Sequence, residues 1–240
     1  MNGQWLTKYF IAHRGFHDDI SPENSLSAFQ KAINKNYTIE LDVHLLSDGE
    51  IAVFHDESLK RMTGQDGKIE DLKTSDLKNY KLNGTNETIP TLKQVLNLVN
   101  DKVPLLIEIK NIGKVGNLES SLFEILKNYK GRYAIQSFNP FSLSWFKKHA
   151  PQVLRGQLSG FLSDTQMSYL RKIILKKMLL NKFISKPNFI SYDARNIPNK
   201  YVSKYKKLPL LVWTIRSQQD YEKLKPYCDN IIFENFEPKN

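Results

Sequence analysis

An alternation constrains this chain more than any other feature. Short, mostly apolar runs begin near residues 9, 37, 104, 133, 153, 189, 209 and 230. Helical spacing is expected between most of them, over about 22–36, 91–100, 117–129, 140–149, 164–182, 199–206 and 217–225. Apolar runs of this length read as strands covered on both faces, as in a parallel sheet. Eight strand–helix units in 240 residues point to a (β/α)8 TIM barrel, with an open doubly wound sheet as the alternative. Residues 57–89 are polar, carry no strong period and read as a small insertion after the second strand. The whole of residues 1–240 is expected to be one domain.

The most informative stretch is Ile39 to Asp56, IELDVHLLSDGEIAVFHD. Ile39, Leu41, Val43 and Leu45 alternate with Glu40, Asp42 and His44, which puts both carboxylates on one face of a strand. Ser47-Asp48-Gly49 signals a turn, and a second short strand ends at His55-Asp56. A hairpin with a polar outer face would account for this stretch alone. A buried strand, in contrast, carries two acids on one face only when something pairs with them.

On a (β/α)8 barrel, active sites lie at the C-terminal ends of the strands. The polar residues obey that rule: His13 and Arg14 after the first strand, Glu40 and Asp42 on the second, Glu108 and Lys110 on the third, Gln136 and Ser137 on the fourth, Trp213 on the seventh. Three acids converging in a barrel mouth would repel one another. A hard divalent cation with oxygen ligands, Mg2+ or Ca2+, would relieve the repulsion. Neutralisation by Arg14 and Lys110 is the alternative, but two cations satisfy three carboxylates poorly. His13 and His55 titrate near neutrality and come from different loops, which suits a general acid and a general base. His44 reads as structural, and His17 and His149 have no supporting context.

Lys and Arg total 35 against 25 acids, a formal net charge of +10, carried mostly by single scattered lysines. That pattern suits anionic substrates or anionic membrane surfaces, and no aromatic–basic motif argues for nucleic acid. Residues 165–185 hold Arg171, Lys172, Lys176, Lys177 and Lys182 with a wide apolar set. They read as an outer barrel helix packing its apolar stripe on the sheet, with anionic lipid contact as the alternative. The single cysteine, Cys228, excludes an internal disulfide framework. Residues 1–9 lack the apolar core of a signal peptide, and no run reaches membrane-spanning length, so a cytoplasmic protein is expected.

In chain order, His13-Arg14-Gly15, Pro22-Glu23-Asn24-Ser25, Ile39-Glu40-Leu41-Asp42-Val43, Ser47-Asp48-Gly49 and Val53-Phe54-His55-Asp56 resemble the glycerophosphodiester phosphodiesterase family. Leu59, Arg61, Thr63, Leu106-Ile107-Glu108-Ile109-Lys110, Gln136-Ser137-Phe138 and Val212-Trp213-Thr214 continue the match over nearly the whole chain. The resemblance implies the barrel with its small insertion and metal-dependent hydrolysis of glycerophosphodiesters to glycerol 3-phosphate and an alcohol. It implies Glu40, Asp42 and Glu108 as metal ligands and His13 and His55 as the acid–base pair. Arg14 and Lys110 would hold the phosphate, and Gln136 and Trp213 complete the expected substrate-binding set. The chain departs from the family's usual pattern at Ile215-Arg216 and at Phe233-Glu234-Asn235-Phe236, positions that bear on substrate choice. Alternatives are a lysophospholipase D or phospholipase C or D type enzyme on the same barrel, or a non-catalytic glycerophosphate-binding barrel. The expected partner is a glycerophosphodiester or lysophospholipid, with no nucleic acid.

Overall fold

A computed structural model describes residues 3–111, 113–163 and 167–239. In chain order the elements are α1 (Trp5–Lys8), β1 (Ile11–Ala12), α2 (Leu26–Asn34), β2 (Thr38–Leu45), β3 (Ile51–Val53) and α3 (Lys60–Thr63). Next come α4 (Leu92–Val99), β4 (Leu105–Ile109), α5 (Asn117–Leu126), β5 (Tyr133–Ser137), α6 (Pro140–His149) and β6 (Leu154–Ser159). The chain closes with α7 (Tyr169–Lys177), β7 (Phe189–Asp193), β8 (Leu210–Ile215), α8 (Gln218–Leu224) and β9 (Asn230–Phe233). With β3 set aside as the return arm of a hairpin, the parallel strands and the helices between them make a (β/α)8 barrel, the expected class. Among the described residues no helix is long and apolar enough to cross a membrane.

The chain forms two compact units, Ala12–Tyr133 and Met1–Ile11 with Ala134–Asn240. In the first, β2 runs parallel to β4, with Glu40 beside Leu106 and Asp42 beside Glu108. Beyond Val43 the strand continues antiparallel to β3, pairing Val43, His44 and Leu45 with Val53, Ala52 and Ile51. Glu40 and Asp42 are therefore mid-strand rather than late in it, although they close its parallel part. Nor does the hairpin present a polar outer face: Thr38 to His44 are all buried. α4 is built as its periodicity predicts. Thr91 and Gln94 form a capping box, and Leu92, Val95, Leu96 and Val99 are buried. Each such side chain contributes about 1.5–3 kcal/mol on burial.

The insertion holds more structure than its composition suggests. Leu59, Met62, Ile69, Leu77, Leu82 and Ile89 join Leu46, Ala52 and Phe54 in a small apolar cluster of their own. Its apolar residues are spaced by turns and short helices, so no single period reveals them.

In the second unit β5, β6, β7, β8 and β9 follow in order, all parallel. Two expected helices shrink here. The segment 199–206 forms only a 3₁₀ turn, Val202–Tyr205, where Asn199 accepts from the Tyr201 and Val202 amides at 2.8 and 3.1 Å. Lys200 and Lys204 stand four apart, a like-charge spacing that opposes a longer helix. The helix expected over 164–182 is α7, which ends at Met178 in the left-handed conformation with φ 51°. A π turn, Asn181–Ser185, follows. Residues 164–166 of that expected helix lie outside the described residues.

Candidate active site

Four chain segments of the first unit deliver its charged side chains to one place. The loop after β1 brings His13 and Arg14. Arg14 and Gly15 have positive φ, 56° and 83°, and a Cβ on Gly15 would lie 2.9 Å from the Phe29 ring and 3.0 Å from the Ala28 backbone. Glycine is needed there both for conformation and for close approach. The turn aims the Arg14 amide at Glu40, whose Oε2 accepts it at 3.0 Å. Asn24, also at positive φ (57°), donates its amide nitrogen to Asp42 Oδ2 at 2.9 Å. The helix expected from about residue 22 starts later, at Leu26: Ser25 caps α2 by accepting from the Ala28 amide, and Asn24 is committed to Asp42.

Glu40, Asp42 and Glu108 are 1%, 0% and 8% exposed, and each offers a carboxylate oxygen within 4.8 Å of the others. Lys110 Nζ lies 2.8 Å from Glu108 Oε1 and 3.2 Å from Asp42 Oδ1, and Arg14 Nε lies 3.4 Å from Asp42 Oδ2. The two cations thus do sit on the acids, as the ion-pair alternative supposed: Lys110 bridges Glu108 and Asp42, and Arg14 lies against Asp42 while its charge also acts on Glu40. Burial opposes the charge on Asp42, yet Lys110, His55, Arg14 and His13 hold its carboxyl well below the ordinary range. Glu40 goes the other way: burial, with repulsion from Asp42 and Glu108, raises it well above the ordinary range. Lys110 is buried too, but Asp42 and Glu108 hold its ammonium above its usual range.

A divalent cation fits this set of donors. Burial and its acidic neighbours oppose ionisation of Glu40, and buried Asp42 Oδ1 has Lys110 Nζ 3.2 Å away but no aligned hydrogen bond among the described residues. All candidate donors are oxygens, the set that hard cations prefer.

His55 follows β3 and points Nδ1–H at Asp56 Oδ1, 2.5 Å away. The other Asp56 oxygen accepts from Arg61 Nε at 2.6 Å. Arg61 then grips Glu23 with both terminal nitrogens, at 2.7 and 2.8 Å, and Arg14 Nη1 takes the same carboxylate at 2.7 Å. The ion pairs therefore form one circuit: His55, Asp56, Arg61, Glu23, Arg14, Asp42, Lys110, Glu108. Burial opposes ionisation of Asp56, but His55 and Arg61 keep it below the ordinary carboxylate range. Glu23 behaves alike, with burial outweighed by Arg61 and Arg14. His44 is buried beneath this loop. Its Nε2 sits 3.2 Å from the His55 carbonyl and its Nδ1 3.4 Å from Glu70 Oε1, the contacts of a structural residue.

The first unit thus brings together Arg14, Glu40, Asp42, Glu108 and Lys110, with His13 and His55 close enough to act on the Asp42 charge. Gln136 and Trp213 belong to the second unit. Gln136 is buried late in β5. Trp213, beside Asp193 in the β7–β8 register, sets its ring edge-on to Phe138 at 5.7 Å. Glu23, Asn24, Asp56 and Arg61 are the site residues that sequence reasoning gave no task. Their signal lay in the motifs that carry the family resemblance: Glu23 and Asn24 stand just before α2, Asp56 three residues after β3 and Arg61 within α3.

The chain matches the glycerophosphoryl diester phosphodiesterase family over residues 13–237. A glycerophosphodiester phosphodiesterase of Caldanaerobacter subterraneus subsp. tengcongensis is 33% identical over 238 residues, covering 92% of each chain. A phosphodiesterase of Oleispira antarctica, solved in complex with the product sn-glycerol-3-phosphate, superposes with a TM-score of 0.80 at 25% identity, covering 96% of this chain and 94% of that one. A glycerophosphodiester phosphodiesterase of Thermotoga maritima gives 0.72 at 28% identity, covering 94% and 93%. With a fold, a buried acidic triad and a sequence match that all agree, the chain belongs to the glycerophosphoryl diester phosphodiesterase family.

Proposed function

We propose that this phosphodiesterase hydrolyses glycerophosphodiesters to glycerol 3-phosphate and a free alcohol, with Glu40, Asp42 and Glu108 as ligands of Mg2+ or Ca2+. The observation that carries the reading is the buried acidic triad, whose carboxylate oxygens lie within 4.8 Å of one another. The product named for the Oleispira antarctica neighbour supports the choice of substrate class.

A cation bound by the three acids supplies positive charge to the non-bridging phosphate oxygens. The protein's own groups do the rest. A phosphodiester is a monoanion, and Arg14 and Lys110 are fixed cations that orient it and stabilise the charge that gathers as the P–O bond breaks. One of His13 and His55 takes the proton of the attacking hydroxyl, and the other gives a proton to the leaving alkoxide. Over the whole reaction one water is consumed, its hydroxyl going to phosphorus and its proton to the alcohol. Asp56 fixes the His55 ring with Nδ1 bound, which leaves Nε2 as the atom that handles the proton. By the family resemblance, Gln136 as a polar contact and Trp213 as an apolar wall are the proposed substrate-binding residues of the second unit.

The test is hydrolysis of a panel of glycerophosphodiesters and lysophospholipids by the purified chain, before and after chelation. Release of glycerol 3-phosphate that is lost on chelation and restored by Mg2+ or Ca2+ is the expected result. Full turnover in excess chelator after dialysis would remove the metal from the proposal. No turnover of any diester with metal present would remove the substrate class.

A further inference from the structure

The crossover between β6 and β7 carries charge of a single sign. From Met167 to Tyr192 the sequence contains Arg171, Lys172, Lys176, Lys177, Lys182 and Lys186 and no acid. An outer barrel helix ordinarily lays an apolar stripe against the sheet. Of the nine residues of α7, Leu175 is the one buried. Tyr169 is 80% exposed and Leu170 68%; just past the helix Leu179 is 52% and Phe183 70%. α7 stands where the outer helix is expected and buries Leu175 with Ile173 and Ile174 half-buried, but it leaves Tyr169 and Leu170 exposed.

The cations divide into two groups. Lys172 Nζ turns inward to the Ser163 carbonyl at 3.2 Å, and Lys176 Nζ lies 3.8 Å from the Phe161 ring centroid and 5.8 Å from that of Tyr201. Lys177, Lys182 and Lys186 stay exposed among the apolar side chains. Lys177 is seven residues from Leu170, on the same helix face. The turn that presents Phe183 is anchored, because Lys147 Nζ donates to the Ile184 carbonyl at 2.7 Å.

We propose that this segment is a docking surface for an anionic lipid bilayer. Tyr169, Leu170, Leu179 and Phe183 would enter the headgroup–acyl boundary, while Lys177, Lys182 and Lys186 meet the headgroup charge. The charge selects the occupant. A second copy of the same face would set positive charge against positive charge. A nucleic acid would satisfy the lysines but leave Leu170 and Leu179 in water. An anionic bilayer satisfies both sets. This inference stands apart from the proposed hydrolysis, since none of its readouts uses turnover.

The full chain would be sedimented with vesicles of phosphatidylcholine alone and of equal parts phosphatidylcholine and phosphatidylglycerol. It should pellet with the anionic vesicles and stay in solution with the neutral ones. Salt should release it, since the screening length falls from ~10 Å at 0.1 M to ~3 Å at 1 M. Lys177→Gln, Lys182→Gln and Lys186→Gln together should weaken partitioning roughly 100-fold, from the usual contribution of a basic residue near an anionic surface. Leu170→Ser with Phe183→Ser should also abolish pelleting at low salt. Both variants should keep the parent's thermal midpoint, which separates lost docking from lost folding. Failure to pellet with anionic vesicles at low salt, or undiminished pelleting of the triple glutamine variant, would overturn the proposal. So would binding to a single-stranded oligonucleotide without vesicle binding, or a dimer that Phe183→Ser dissolves.

Discussion

The two units treat buried charge differently. In the first, near pairs such as Lys110–Glu108 and His55–Asp56 are joined by partners far apart in sequence: Arg14 and Glu40 are 26 residues apart, Asn24 and Asp42 18, Arg61 and Glu23 38. In the second, the buried charges are settled locally. Arg195 neutralises Asp193 two residues away, at 2.7 Å, and Arg155 donates to the Val153 and Pro151 carbonyls at 2.6 and 3.2 Å. A locally satisfied charge belongs to its own turn. Charges drawn from several strands into one circuit around three converging acids are the kind of cluster that marks a functional site.

That contrast is broken most directly at the histidines. His13→Ala and His55→Ala should each lower kcat by roughly 10²–10⁴-fold, the usual contribution of a general acid or base. The double variant should lose less than the product of the two, because both serve one reaction. Near-normal kcat in either single variant would remove that histidine from the acid–base pair.

Asp56→Asn probes the next link. A hydrogen bond to a charged group contributes about 1.5–3 kcal/mol, so kcat should fall roughly 10- to 100-fold with little change in KM. The pH dependence of kcat should shift as well, which loss of packing alone would not produce.

Glu23→Ala tests the circuit as structure. Removing one partner of a buried pair typically costs about 3–5 kcal/mol, and Glu23, whose side chain is 15% exposed, should fall at or below the lower end of that range in chemical denaturation. Its pH signature has a definite sign. Burial opposes ionisation of Glu23, but Arg61 and Arg14 hold its carboxyl below the ordinary value of 4.5. The unfolded chain therefore binds its proton more readily. The stabilisation is complete above that value and is lost as pH falls below it, and the variant should show a flatter acid limb. An unchanged limb would detach Glu23 from the circuit.

The smallest effect is expected in the second unit, at Cys228. Burial, with Asp229 adding to it, pushes its thiol up to about 11. Alkylation by iodoacetamide at pH 8 should be slow in the folded chain, should accelerate as pH approaches that value, and should become fast in denaturant. Rapid labelling of the native chain at pH 8 would show that the thiol is neither buried nor shifted, and would weaken the contrast between the units.

Much of this was legible before any coordinates. Alternation along Thr38–Leu45 places Glu40 and Asp42 on one face, because strand periodicity is a property of the backbone alone. The repeated strand–helix alternation similarly names the barrel, since parallel neighbours need a crossover between them. α4 and α6 carry their own start signals, Thr91 and Asn139-Pro140, and begin where those signals stand. These features arise from neighbours in the chain, which is why a linear reading finds them.

The tertiary structure decided the rest. Only the β2–β4 register sets Asp42 beside Glu108. Only the positive-φ turns at Arg14 and Asn24 bend the first loop so that its amides reach the acids and leave Ser25 to cap α2. The insertion's apolar cluster and the exposure of Tyr169, Leu170, Leu179 and Phe183 were equally hidden, since composition is the same whether a side chain is covered or not. Which charge meets which, and which apolar face meets nothing, depends on distances between residues far apart in sequence, and those distances exist only once the chain has folded.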